Sequence, residues 1–102
     1  MSFKADWDAS RRTYLLRVLA ETGWAANESV LFDAAQAVGF QADTRETIRA
    51  DLDRLRDAGC LTQRWAGDLL VAELTPRGDD AARGRIEVDG VKKSVWRPAS
   101  ER

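Results

Sequence analysis

The stretch TRETIRADLDRLRDAG (residues 44–59) decides the fold of this chain. Its apolar residues recur at the spacing of a single helical face, and Gly59 is the residue type that most often ends a helix. Asp43 and Glu46 stand at the spacing of a capping box, in which each side chain can satisfy a backbone N–H at the helix start. The stretch is therefore predicted to be an amphipathic third helix whose buried positions are Ile48, Leu52 and Leu55.

Two further helices are predicted ahead of this stretch. The first runs from a cap at Ser10 to Gly23, and the residues WAAN (24–27) suit one brief extended segment. Asn27 can cap a second helix, which ends at Gly39. The residues of the second helix expected to face inward are Val30, Leu31, Ala34, Ala35 and Val38.

A hairpin and a short helix are predicted after it. The segments CLTQRW (60–65) and LLVAEL (69–74) read as two strands with Gly67 at the turn. Thr75 can cap a fourth helix that has Pro76 at its first position, where a missing N–H costs nothing. The residues of the second strand expected to share one face are Leu70, Ala72 and Leu74.

This order of elements predicts a fold that is mainly α with a small β-hairpin, a winged helix-turn-helix. It has a three-helix core, the hairpin as a wing, a short C-terminal helix and an extension. We assign residues 1–85 to the winged-helix domain. Residues 86–102 lack sustained periodicity and are assigned to a C-terminal extension or tail.

Several segments also resemble a family of small winged-helix proteins of Mu-like transposable phages and prophages. The LTPRG run (74–78) is similar to the end of the wing in many bacterial winged-helix regulators. The family resemblance implies a winged-helix fold, a phage or prophage origin and a regulator-like protein, and it transfers no catalytic or binding residue. The matching segments are LLRVLAETGWAANESVL (15–31), IRADLDRLRDAGCLT (48–62), LVAELTPRGDDAARGR (70–85) and VDGVKK (88–93).

Composition narrows the classes of function. The 102 residues include 16 Lys and Arg, 17 Asp and Glu and no His, for a net charge of −1. Indiscriminate polyanion binders need surplus positive charge, so this balance argues against one but allows a local basic patch. Cys60 is the one cysteine and is expected to be buried, which leaves no disulfide and too few ligands for zinc. We expect no metal, no cofactor and no membrane span.

An enzyme is not expected either. The chain lacks histidine, the commonest general base, and no nucleophile stands at a fixed spacing from an activating partner. The opening MSFKADWDASRR has no apolar core of a signal peptide. We therefore expect a non-catalytic protein in the cytoplasm of a bacterial host cell.

The third helix allows two interpretations. In a winged helix bound to double-stranded DNA, this helix enters the major groove and the wing touches the backbone or the minor groove. Its N-terminal end favours phosphate, because free N–H groups and the helix dipole point there. On this interpretation the DNA contacts of the helix are Thr44, Arg45, Thr47 and Arg49.

The alternative is that the arginines pair with acids on their own helix. The pairs Glu46–Arg49, Arg49–Asp53 and Asp53–Arg56 have helical i, i+3 or i, i+4 spacing, each worth about 0.2–0.5 kcal/mol. The helix carries four arginines against four acids, so it has no net charge. Carboxylates near its outermost ridge would repel phosphates.

The wing and the extension offer further contacts. Arg64 can reach a phosphate, and Trp65 near the hairpin tip either stacks on a partner or folds back over its own strand. Lys92 and Lys93 precede Trp96 in VKKSVWRP, where they can contact phosphate or another subunit, unless Trp96 packs on its own domain. DNA contacts are assigned to Arg64, Lys92 and Lys93, and other interactions to Trp65 and Trp96.

Two functions therefore remain. The first is a phage or prophage DNA-binding protein, a small transcriptional regulator, whose low charge favours a homodimer presenting two helices, paired through helix 1 and the extension. The second is a winged-helix protein-interaction module in phage assembly, DNA packaging or host takeover, with a phage or host protein as partner and no direct DNA contact. The near-neutral third helix and the aromatic residues outside the expected core favour the second, and these aromatics are Trp7, Trp65 and Trp96.

Overall fold

The computed structural model describes residues 2–40, 43–94 and 96, and these form a mixed α/β protein. The described residues contain four helices and a three-stranded antiparallel sheet. The predicted elements are present in the predicted order, and the short extended segment joins the hairpin as a third strand. The helices are α1 (Phe3–Glu21), α2 (Glu28–Ala37), α3 (Arg45–Asp57) and α4 (Pro76–Ala82). The strands are β1 (Ala25–Asn27), β2 (Leu61–Ala66) and β3 (Leu69–Leu74).

Strand β3 lies at the centre of the sheet, with β1 and β2 antiparallel on either side. Gly67 turns the hairpin with a φ of 62°, a conformation that glycine adopts without strain. The predicted inward face of β3 is confirmed, because all three of its members are buried. Strand β2 enters the core only at Leu61, and its later residues are exposed or half-buried. The three buried residues of the β3 face are Leu70, Ala72 and Leu74.

The core is formed mainly by leucines from α1 and α3. The predicted stripe of α3 is fully buried. The stripe predicted for α2 is only partly correct, because Leu31 and Ala35 are buried whereas Val30 and Val38 are 45% and 53% exposed. Val38 is the C-cap of α2 with a φ of −109°, so its side chain leaves the helical stripe. The leading core residues are Leu15, Leu16, Leu19, Leu31, Ile48, Leu52, Leu55 and Leu61.

The cap of helix α1 lies eight residues before the predicted position, so that prediction is wrong. The cap is Ser2, whose hydroxyl accepts from the N–H of Ala5 at 3.0 Å, and Ser10 lies inside the helix. The added turns are polar, but they carry Trp7, whose ring meets Phe40 edge-on at 4.9 Å between centroids. A contact across 33 residues of sequence thus supports turns that have no apolar stripe of their own.

The cap of α3 also differs from the prediction. Thr44 is the N-cap, and its hydroxyl accepts from the N–H of Thr47 at 3.3 Å, while the Thr47 hydroxyl accepts from the N–H of Thr44 at 3.4 Å. The capping box is therefore built from two threonines and not from Asp43 and Glu46. Asp43 is drawn away from the cap because it accepts hydrogen bonds from α1.

The connection from α1 to β1 is tight. Gly23 and Trp24 both adopt left-handed backbone conformations, with φ values of 75° and 71°. Such a conformation is uncommon for a bulky residue and is maintained only where surrounding contacts hold it. Trp24 is held at both backbone groups, because its N–H donates to Leu19 at 2.9 Å and its carbonyl accepts from Leu74 at 2.7 Å.

After α4 the chain returns across α1. The hydroxyl of Thr13 donates to the carbonyl of Lys92 at 2.7 Å, and Arg12 donates to the carbonyl of Gly90 at 2.9 Å. Val88 is buried and belongs to the same core as α1 and α3. The described part of the predicted extension is therefore ordered against the domain, and the predicted tail beyond residue 96 lies outside the described residues. No described helix is both long and apolar enough to cross a membrane.

Candidate nucleic-acid interface

The N-terminal end of α3 is exposed, and Arg45 is its first charged side chain. Arg45 donates to the hydroxyl of Ser29 at 3.1 Å, and its guanidinium lies 5.4 Å from the centre of the Phe32 ring. Among the described residues it forms no salt bridge, so its charge stays available to an external anion. The two capping threonines, Thr44 and Thr47, are predicted contact residues whose hydroxyls are engaged in the cap.

Arg49 lies in the next turn and is bound to an acid on another helix. Its Nε and Nη2 donate to the two carboxylate oxygens of Glu28, at 2.6 Å and 3.1 Å. Glu28 is only 2% exposed and also accepts from the backbone N–H of Leu70 at 2.6 Å. These hydrogen bonds, Arg49's foremost, hold the pKa of Glu28 below its usual range although burial opposes them. Within the described chain, the predicted pairs of Arg49 with Glu46 and Asp53 do not form.

The hairpin lies next to this pair. The guanidinium of Arg49 lies 5.4 Å from the centre of the Trp65 ring, and Trp65 is 60% exposed. Arg64, on the same strand, donates to Glu73 at 2.7 Å, with both side chains about half exposed. The contact between Arg49 and Trp65 therefore joins the N-terminal half of α3 and the hairpin into one continuous surface. We call it the helix–hairpin surface, defined by Thr44, Arg45, Thr47, Arg49 and Trp65; Arg64 lies on the opposite face of the sheet, because side chains alternate along β2.

The arginines in the C-terminal half of α3 are paired with acids. Arg56 donates to Asp57 at 3.1 Å and, more distantly, to Asp53 at 3.5 Å, which confirms the predicted Asp53–Arg56 pair. Arg56 also donates to Gln63 of β2 at 2.8 Å. Arg54 points to the opposite side of the helix and meets Asp89 at 3.5 Å. This half therefore offers a phosphate little unpaired positive charge.

The predicted lysine contacts lie elsewhere in the molecule. Lys92 is paired with Asp6 of α1 at 3.2 Å, and Lys93 with Glu87 at 3.4 Å. Trp96 packs against the core and lies 5.8 Å from the guanidinium of Arg83. None of these contacts involves a residue of the helix–hairpin surface. The fold therefore does not bring Lys92, Lys93 or Trp96 into contact with the helix–hairpin surface.

A buried charge cluster between α1 and α3 was not predicted from the sequence. Arg11 and Asp51 are 2% and 1% exposed, and the carboxylate of Asp51 accepts from Nε and Nη2 of Arg11. Arg12 adds a third hydrogen bond to Asp51 at 2.9 Å. Burial alone would lower the pKa of Arg11, but Asp51 and the neighbouring carboxylates raise it. The available signal was Asp51 itself, an acid three residues after Ile48 and so within the apolar stripe.

The same cluster fixes the start of α3. Asp43, the residue before the N-cap, accepts from Nη1 of Arg11 at 3.0 Å and from the indole N–H of Trp7 at 3.1 Å. Asp8 accepts from Arg11 at 3.0 Å as well. Helix α1 therefore contacts α3 at two places: Asp51 on its buried face and Asp43 just before its N-cap. These contacts fix the orientation of the helix–hairpin surface.

Sequence similarity to known proteins identifies the family of the chain. The chain is 37% identical over 83 residues to the uncharacterised protein gp26 of Escherichia phage Mu, which covers 81% of this chain and 85% of gp26. It is also 37% identical over 78 residues to an uncharacterised protein of Haemophilus influenzae, covering 76% of each chain. The chain therefore belongs to the family of Mu-like phage proteins that includes gp26, as the resemblance predicted. No protein-family model matches the chain, and no solved structure matches it significantly.

Proposed function

We propose that this protein is a winged-helix DNA-binding protein of Mu-like phages and prophages, acting as a small transcriptional regulator in the host cytoplasm. The order of helices and strands, with β3 between β1 and β2, supports the winged-helix assignment. In that fold α3 is the helix that enters the major groove, and the hairpin is the wing.

The observation that carries the proposal is the contact between Arg49 and Trp65. It joins the exposed N-terminal half of α3 to the hairpin, so that one surface can meet the major groove and the adjacent backbone together. Arg45 supplies a charge without a salt bridge within the described chain, at the helix end where backbone N–H groups also favour phosphate.

We expect a monomer to bind DNA only weakly through this surface. Arg49 and Arg64 are each paired with a carboxylate, so neither adds a full unpaired charge to the attraction for DNA. Counterion release scales with the number of phosphates neutralised, and here that number is small. We therefore propose a homodimer that presents two such surfaces to successive half-sites.

A salt series tests the proposal. Fluorescence anisotropy with phage-derived and random duplexes should give an affinity that falls with salt, with a slope of about 0.9 per phosphate contacted. Arg45→Ala should lower that slope by about one contact. Arg54→Ala is the matched control, because Arg54 is an exposed arginine on the same helix that faces Asp89. Binding that is absent, or equally weakened by both substitutions, would refute the assignment.

A protein-interaction module is the second candidate, and exposed aromatic residues favour it. Phe3 is 84% exposed and stacks on Trp7 with 6.3 Å between the ring centroids. Both residues lie at the N-terminal end of α1. Aromatic side chains of this kind are enriched at protein interfaces. Affinity capture from infected cells with nuclease treatment separates the two functions, because a partner retained after DNA is digested would support a direct protein contact.

A further inference from the structure

The pairing of Arg49 with Glu28 leaves one side of the guanidinium free. A guanidinium carries five N–H groups in a fixed plane, one on Nε and two on each terminal nitrogen. Glu28 takes the Nε donor and one donor of Nη2. The two donors of Nη1 and the second donor of Nη2 remain, and Arg49 is 47% exposed. One donor of Nη1 and the second donor of Nη2 lie parallel on the edge of the guanidinium next to the one that Glu28 occupies.

Glu28 holds the guanidinium of Arg49 in a fixed position. It is 2% exposed, lies in the first turn of α2 and is fixed by the backbone N–H of Leu70 in β3. Trp65 adds a contact to the face of the guanidinium at 5.4 Å from its ring centre. The position of Arg49 is thus defined by α2, β3 and the hairpin as well as by its own helix. An arginine held in this way loses little conformational entropy when it binds.

We propose that Arg49 is a specificity-determining residue that reads the edge of a guanine in the major groove, and that Glu28 is the positioning residue that orients it. This inference rests on the proposed DNA-binding function. Two parallel N–H groups of a guanidinium match the O6 and N7 acceptors of guanine, the commonest specific arginine contact in the major groove. Glu28 leaves such a pair, one donor from each terminal nitrogen, without a hydrogen-bond partner among the described residues.

The neutrality of the pair separates this role from a phosphate contact. The charge of Arg49 is balanced at short range by a buried carboxylate, so its contact with DNA displaces few counterions. A guanine contact made through such a pair alters base preference and leaves the salt dependence nearly unchanged. Arg45, which forms no salt bridge in the described chain, is expected to behave in the opposite way.

The test is selection from a randomised duplex pool with the full-length protein and with Arg49→Lys, which keeps the charge but loses the planar fork. The native protein should prefer guanine at one position by about 5- to 150-fold, the range of a bidentate base contact. Arg49→Lys should reduce that preference several-fold with an unchanged salt slope, because lysine lacks the planar pair of donors that Glu28 orients, and Arg54→Lys is the control that should retain the preference. Replacing the selected guanine by 7-deazaguanine should weaken the native protein more than Arg49→Lys.

Glu28→Gln tests the positioning role. It should reduce the same base preference, because an amide cannot accept both guanidinium N–H groups. The NMR resonance of the Arg49 Nε–H in the free protein should shift in this variant, which reports the pair without any DNA. An unchanged preference in Glu28→Gln would overturn the positioning role, and an equal loss on all sequences in Arg49→Lys would assign Arg49 to phosphate instead. Failure of the native protein to bind any duplex, with the Nε–H signal shifted as expected, would reject the proposed function together with this inference while leaving the pair established.

Discussion

Asp51→Asn is the substitution that most directly tests how α3 is held against α1. The Asp51 carboxylate accepts three hydrogen bonds from guanidinium groups, two from Arg11 and one from Arg12. Asparagine keeps the volume but offers one acceptor oxygen and turns an amide N–H₂ toward Arg11. One or two charged hydrogen bonds are lost, each worth about 1.5–3 kcal/mol. Breaking a buried ion pair on one side costs about 3–5 kcal/mol, so we expect a loss of about 3 kcal/mol.

Urea denaturation followed by tryptophan fluorescence measures this loss. With an m-value of about 1–2 kcal/mol/M for a domain of this size, the midpoint should fall by about 1.5–3 M. Asp53→Asn is the control on the same helix, because Asp53 is half exposed and paired only with surface groups. Its effect should stay within about 0.5 kcal/mol.

A double substitution separates ion pairing from packing. Arg11→Met with Asp51→Leu removes both charges and keeps apolar volume, and such replacements are often close to neutral. We expect the double variant to recover only part of the stability lost in Asp51→Asn, because Asp8, Asp43 and Arg12 each lose a partner in the cluster. A loss in Asp51→Asn no larger than that in Asp53→Asn would refute the assignment of Asp51 to the support of α3.

Three further predictions follow from Glu28 and from two glycines. Because Glu28 has a lower pKa folded than unfolded, its charge stabilises the fold above the ordinary glutamate pKa of about 4.3, and this stability is lost as the pH falls through the folded value. Urea denaturation of Glu28→Gln in acid should therefore show a shallower loss of stability below about pH 4.3 than the native protein. Gly78→Ala should abolish two-state unfolding or lower the melting temperature sharply, because the added methyl would lie 1.9 Å from the carbonyl oxygen of Cys60. Gly84→Ala would place a methyl 1.6 Å from the carbonyl oxygen of Ser94, so limited proteolysis should cut the segment after α4 faster than in the native protein.

Controls make these three outcomes decisive. Pro76→Ala changes an exposed residue of α4 and should leave the melting temperature within a few degrees, in contrast to Gly78→Ala. Equal proteolysis of Gly84→Ala and the native protein would show that the contact with Ser94 does not hold the segment. Parallel acid profiles of Glu28→Gln and the native protein would contradict the role of Glu28 in pH dependence.

The helices and strands that are specified by short local sequence patterns could be predicted from the sequence. The stripe of α3 repeats three times at helical spacing, and Gly67 stands between two runs of strand-forming residues. Thr75 with Pro76 marks the start of α4 through chemistry contained within one turn, and its hydroxyl accepts from Gly78 as a cap should. Each of these signals lies within a few residues of the structure it determines, so no knowledge of the fold was required.

The features that could not be predicted from the sequence depend on partners that are distant along the chain. Arg49 meets Glu28 across 21 residues, and Asp51 meets Arg11 across 40. In the sequence, the nearest candidate partners of Arg49 are Glu46 and Asp53, three and four residues away along the helix. Only the packing of α2 against α3 favours Glu28 over them. The early start of α1 has the same origin, because its first turns are stabilised by Trp7 and its contacts with the turn before α3.

The connection between α1 and β1, which contains the two residues with left-handed backbone conformations, is too short to absorb a change in length. Gly23 and Trp24 reverse the chain within two residues, and the Trp24 carbonyl is already bonded to Leu74. One inserted or deleted residue here would slide β1 along β3 by one position and exchange its inward and outward side chains. Members of this family should therefore tolerate differences in length at the hairpin tip around Gly67 and conserve the spacing between α1 and β1.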